Sequence, residues 1–201
     1  MRNMSDDHTH VQEFFGARAA DWDARFPDDG PAYAAAVDDL GLREGDRVLD
    51  AGCGTGRALT PLRAAVGPSG VVLGADLTPA MLEAAVRAGR DRDGLLLLAD
   101  VAALPLRTES LDAVFAAGLI AHLPVPSRTS GSWHAWCGPG SARAVPSDRP
   151  GGARGATRPA DHPDDLRAEA NLGPLLAGSG WRMTSYVDED SRFLAVAVRE
   201  R

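Results

Sequence analysis

The chain has 201 residues and a formal net charge of −7, which fits one domain with a full core and argues against a nucleic-acid partner held by charge. Its two cysteines, Cys53 and Cys137, form no disulfide framework and lack metal-ligand spacing. The polar opening Met1–His10 lacks the apolar core of a signal peptide, and no apolar run approaches the ~20 residues needed to span a membrane. A cytoplasmic protein with no membrane partner is the expectation.

Residues 1–10, with His8 and His10, read as a solvated tail ahead of a single domain over 11–201. Val11–Ala20 is predicted to be helical, with Phe14 and Phe15 on its apolar side. Trp22 and Phe26 follow, and Pro27–Gly30 has the composition of a turn. Pro31 suits the start of a second helix to Leu40, with Tyr33, Val37 and Leu40 on one side. In this helical cap, residues 11–47, the aromatics either roof a ligand or pack against one another.

The chain is organised around Val48–Arg57. An apolar strand, Val48–Asp50, runs into Gly52, Gly54 and Gly56 at every second position, and a helical segment, Ala58–Val66, follows. Glycine lets the backbone turn tightly and a ligand approach it. The loop leads into a helix N-terminus, which favours anionic groups, so a nucleotide-like cofactor fits. The pattern then repeats in α/β fashion. Val71–Asp76 is a strand, Thr78–Pro79 caps a helix over Ala80–Gly89, and Leu95–Leu98 and Leu111–Ala117 are further strands. Continuous apolar runs mark strands buried on both faces of a mostly parallel sheet.

Asp50, Asp76 and Asp100 stand at the carboxyl ends of the first three strands, the edge where open α/β sheets bind ligands. Each acid alone would suit a helix cap or a loop; three at successive strand ends point to a site. Asp76, 20 residues beyond Gly56, is placed to accept both hydroxyls of a ribose. Asp100 can accept from an adenine amine while the Val101 N–H donates to a ring nitrogen.

In order, Val48–Arg57, Gly74–Leu82, Ala99–Val101 and Leu111–Val114 resemble the motifs of small-molecule class I S-adenosylmethionine-dependent methyltransferases. The resemblance covers about 11–123 and, less closely, 164–201. A dinucleotide-binding fingerprint would need a third glycine where Arg57 stands. The family implies an α/β Rossmann-like sandwich, mostly parallel with an antiparallel C-terminal strand, and S-adenosyl-L-methionine as cofactor. It also implies that Asp50, Ala51, Gly52, Cys53 and Gly54 hold the methionine part, and that Asp76 and Leu77 hold ribose. Asp100 and Val101 would hold adenine, and Ala117 and Gly118 would line the space beside the methionine amine. Cys53 reads as a small buried filler rather than a nucleophile. The implied reaction is in-line attack of a small-molecule acceptor on the sulfonium methyl, with no metal. His122, just past the fourth strand, is the candidate base, against the plainer reading of a packing histidine.

Residues 124–163 follow the cofactor-binding half, 48–123, and break the pattern. They hold seven of the 14 prolines and no leucine or isoleucine, so an irregular, low-order segment is expected where the family has a helix, an R-P-G-G turn and a fifth strand. Arg149–Gly152 spells that turn, but nothing strand-like follows it. All 21 basic residues are arginine, as a gene rich in G and C would give. In such a gene the codons behind 126–140 and 143–159 can be read in the other two frames to yield the missing helix and strand. A frameshifted segment would leave a cofactor-binding protein without catalysis, the alternative function. The C-terminal part, 164–201, regains regularity. Asp164–Gly178 reads as a helix in two pieces divided near Gly173–Pro174, and Trp181–Val187 with Arg192–Val198 reads as a hairpin.

Overall fold

The computed structural model describes residues 4–27, 29–138, 143–147, 164–189 and 192–200. Three helices, α1 (Met4–Gly16), α2 (Trp22–Arg25) and α3 (Gly30–Leu40), precede β1 (Arg47–Ala51). Then come α4 (Leu59–Val66), β2 (Val71–Asp76), α5 (Pro79–Arg87), β3 (Leu95–Leu98) and β4 (Ala113–Ala117). The remainder is α6 (Pro126–Trp136), β5 (Arg143–Ser147), α7 (Glu169–Gly178), β6 (Trp181–Glu189) and β7 (Arg192–Arg199). The strands form one sheet in the order β3-β2-β1-β4-β5-β7-β6. The first five are parallel, and β7 is antiparallel to both β5 and β6. This is the expected Rossmann-like sandwich.

The apolar runs explain why the sheet lies in the middle. Along β1, Val48 packs with Leu40, Leu59, Leu62 and Phe115 on the α3/α4 side, while Leu49 and Ala51 pack with Val114, Trp133 and Leu172 on the other. Along β4, Ala113 and Phe115 face one cluster and Val114 and Ala116 the other. Alternation in a strand sends every second side chain to the opposite face, so a strand covered twice must be apolar throughout. The order reverses at β1, with β2 on one side and β4 on the other, which opens a crevice at the carboxyl ends of these strands. Among the described residues no helix is long and apolar enough to cross a membrane.

Three expectations are corrected. Residues 4–10 are not a tail: α1 begins at Met4 and is held by the Gln12 side-chain amide donating to the Leu77 carbonyl at 2.9 Å. The reason is facing: His8, Val11 and Phe15 lie on one side of α1, and that side covers the sheet edge.

The segment over 124–163 is not irregular throughout. Pro126 starts α6 at a position where its missing N–H is no loss, and Thr129, Ser130, Trp133 and Trp136 form the buried face. Trp133 donates to the Val101 carbonyl at 3.1 Å, and Trp181 of β6 donates to the Ser130 carbonyl at 3.0 Å. Two tryptophans thus do what leucines do elsewhere. The chain as written also supplies a fifth strand: β5 pairs with β4 over its whole length. Its pairing with β7 covers only Arg143 and Ala144, stopping before Pro146, which has no N–H to give. The expected turn at Arg149–Gly152 lies outside the described residues.

Finally, α7 is one helix rather than two, with Pro174 inside it. A proline there removes the bond to the Ala170 carbonyl, and Ala170 is exposed, so water can take that acceptor.

Candidate functional site

At the end of β1 the chain turns through Gly52, Cys53 and Gly54. Gly52 has φ +69°, a conformation that strains any other residue, and a Cβ there would push on Leu119 Cδ1 at 2.9 Å. The Gly52 and Cys53 N–H groups both donate to the Ala75 carbonyl, at 2.8 and 3.0 Å, which ties the loop to the end of β2. The next residue of β2 is Asp76. One of its carboxylate oxygens accepts the Gly54 N–H at 2.8 Å and the other the Thr78 N–H at 2.7 Å. The Thr78 hydroxyl and the Leu77 N–H also donate to this carboxylate. Asp100 is built similarly at the end of β3, with Oδ1 accepting the Ala102 N–H at 2.8 Å.

These groups open onto one cavity of about 320 Å³. Of the residues predicted for the site, Gly52, Cys53, Gly54, Asp76, Leu77, Asp100, Val101, Ala117, Gly118 and His122 line it. Asp50 and Ala51 do not reach its surface: both are buried in β1 beneath the loop. Cys53 is nearly buried, and burial pushes its thiol well up, which fits a filler and not a nucleophile.

Asp50 is the electrostatic anomaly. It is 2% exposed, and its Oδ2 is buried with no hydrogen-bond partner. Burial, and then the charge of Asp76, push its carboxyl up to about 8. Burial also raises Asp76, against the N–H groups of Thr78 and Gly54. A carboxyl with one unpartnered buried oxygen beside a glycine cradle is chemically suited to a ligand with a cationic amine next to the loop.

The cap closes the other side of the cavity with Phe15, Trp22, Phe26 and Tyr33. Phe15 lies 5.6 Å from Trp22, and Trp22 lies 5.3 Å from Phe26, centroid to centroid. His122 meets the Phe15 ring edge-on at 5.1 Å. The aromatics therefore both pack together and roof the cavity.

Several lining residues escaped the sequence reading. His8 Nε2 lies 3.5 Å from Asp100 Oδ2. The spacing of His8, Val11 and Phe15 at i, i+3 and i+7 was the available signal. Arg57 pairs with Asp29 at 3.4 Å and donates to the Phe26 carbonyl, and Thr55 Oγ1 donates to Asp23 at 2.7 Å. Asp23 also receives Arg90 at 2.7 Å. These contacts clamp the cap onto the glycine loop across about thirty residues of chain, a distance no local motif spans. Among the described residues no cluster of His, Cys, Asp and Glu could hold a metal ion.

Residues 48–140 match the family described as a methyltransferase domain. The chain is 38% identical over 77 residues to demethylmenaquinone methyltransferase of Staphylococcus aureus, an alignment covering 38% of this chain and 32% of that protein. The chain thus spans about a third or less of the length of the curated relatives it matches. Among solved structures it is similar to a SAM-dependent methyltransferase from Aquifex aeolicus, with TM-score 0.69 and 24% identity over 82% of this chain and 87% of that one. It is also similar to magnesium protoporphyrin IX methyltransferase from Synechocystis PCC 6803 with bound SAM, with TM-score 0.72 and 19% identity over the full length of both. The fold is that of the class I methyltransferases.

Proposed function

We propose that this chain, a class I methyltransferase in fold with a methyltransferase domain over 48–140, transfers a methyl group from S-adenosyl-L-methionine to a small-molecule acceptor. The observation that carries the reading is the joining of Gly54 to Asp76. The Gly54 N–H, donating to the Asp76 carboxylate, ties the glycine cradle to that acid, with the unpartnered Oδ2 of Asp50 buried beneath the loop.

The assignments are those the family resemblance implies, and that geometry supports them. Gly52, Cys53 and Gly54 receive the methionine part, with Asp50 and Ala51 acting from below the loop. Asp50 ionises in response to the methionine ammonium, and Ala117 and Gly118 leave it room. Asp76, with Leu77 beside it, accepts from the ribose. Asp100 accepts the adenine amine and the Val101 N–H meets the ring. The bound cofactor supplies an electrophilic methyl on a sulfonium. The protein's part is orientation, worth up to ~7–11 kcal/mol in favourable cases, and exclusion of water by the aromatic roof. Where the acceptor must lose a proton, His122 takes it. The acidic chain is suited to no polyanionic acceptor, and a cytoplasmic location fits its cofactor.

The test is release of S-adenosylhomocysteine from S-adenosylmethionine with a panel of phenols, amines, thiols and quinols. Turnover with one class supports the reading; cofactor binding with no release under any acceptor points to the non-catalytic alternative, which the comparisons do not favour.

A further inference from the structure

The surroundings of β3 do not match its sequence. Leu95-Leu96-Leu97-Leu98 is apolar at every position, the pattern of a strand covered on both faces, as β1 and β4 are. Yet β3 ends the sheet, with Leu95 67% and Leu98 55% exposed. The Ala99 N–H donates to the Asp76 carbonyl of β2 at 3.0 Å. By alternation, the N–H and C=O groups of Leu96 and Leu98 turn away from the sheet. Beside this edge runs a shallow apolar groove where Leu96 and Leu98 meet Pro79, Leu82 and Val86 of α5, and Val86 is 52% exposed. Proteins commonly guard such an edge with lysine, proline or a bulge, and β3 has none of them.

We propose that a second copy of this chain docks here, two β3 strands pairing antiparallel across a two-fold axis while the two α5 helices close over the groove. Two observations favour a second copy over another partner. An edge strand is its own complement: outward N–H and C=O groups at Leu96 and Leu98 pair with the same groups on a strand running the other way. The rim charges are also self-complementary. Glu83 and Arg87, 3.8 Å apart and both mostly exposed, place one acid and one base beside the groove of a chain that carries −7 overall. A two-fold axis sets Glu83 of each copy near Arg87 of the other, whereas a partner recruited by charge would find no net charge there. The contact is closed, so assembly stops at two.

Sedimentation of the whole chain from about 1 to 100 μM tests this. A dimer of the 21.1 kDa chain is expected. Leu95→Lys with Val86→Lys should weaken it at least a hundredfold while leaving far-UV circular dichroism unchanged, and thermal unfolding unchanged at concentrations where the parent is a monomer, because both side chains are exposed. Glu83→Arg alone should also weaken the dimer, and adding Arg87→Glu should restore it. A monomer throughout, a dimer indifferent to these substitutions, open-ended assemblies, or association only with a different protein would each overturn the proposal.

Discussion

Replacing Asp50 by asparagine removes a carboxyl that burial disfavours. In the unfolded chain this group ionises near 3.9, whereas burial and Asp76 hold it near 8 in the fold. Between those values the native state binds more protons than the unfolded chain, so this group's contribution to stability falls as pH rises from about 4 to about 8. Each pH unit in that window costs about 1.4 kcal/mol, which makes the penalty roughly 4 kcal/mol at pH 7. Asp50→Asn keeps the shape of the side chain and removes the titration. Without ligand, the variant should be more stable than the parent by several kcal/mol at pH 7.5 and nearly equal to it at pH 4.5. Urea unfolding followed by circular dichroism across this range, parent against variant, measures the difference. The same variant should bind S-adenosylmethionine more weakly, because an amide cannot ionise in response to the methionine ammonium as the carboxyl can. A stability difference that does not grow with pH would refute the reasoning.

Arg57→Met breaks a buried pair and leaves the Phe26 carbonyl without its guanidinium donor, so a loss of about 3 kcal/mol is expected in chemical denaturation. Trp133→Phe strands the Val101 carbonyl beside the proposed adenine position, and should cost about 1–3 kcal/mol of stability and weaken cofactor binding. Gly56→Ala puts a Cβ 2.9 Å from Leu59 Cδ1 at φ +79° and should lower the melting temperature by several degrees, read by differential scanning calorimetry. His122→Ala should reduce kcat by about 10²–10⁴ for an acceptor that loses a proton and leave cofactor affinity unchanged; unaltered turnover would return His122 to a packing role.

Much of the site was legible because its physics is local. Glycines at 52, 54 and 56 and acids at strand ends announce a backbone cradle and a binding edge wherever the chain goes next. The C-terminal hairpin was equally plain from its apolar runs. What stayed hidden was the work of unusual residues. In α6, Trp133 and Trp136 carry a buried face that Thr129 and Ser130 complete, so a search for leucine periodicity finds nothing. In α1, the polar residue His8 faces the cavity because of what the sheet edge presents, not because of its own propensity. The clamps from Asp23 and Asp29 to the loop join residues about thirty positions apart and exist only in the folded chain. The reading of β3 erred in the opposite direction: its four leucines predicted burial on both faces, and that expectation is met only if something covers the edge.

The most direct test of the account is a calorimetric titration of the chain with S-adenosylmethionine, run beside Asp76→Asn. The parent should bind one molecule per chain. The variant should bind at least tenfold more weakly, because its amide presents a donor where the carboxylate accepts the Gly54 or Thr78 N–H and offers one fewer acceptor to the ribose. No binding by the parent, or equal affinity in the two proteins, would contradict the assignment of this cavity as the cofactor site.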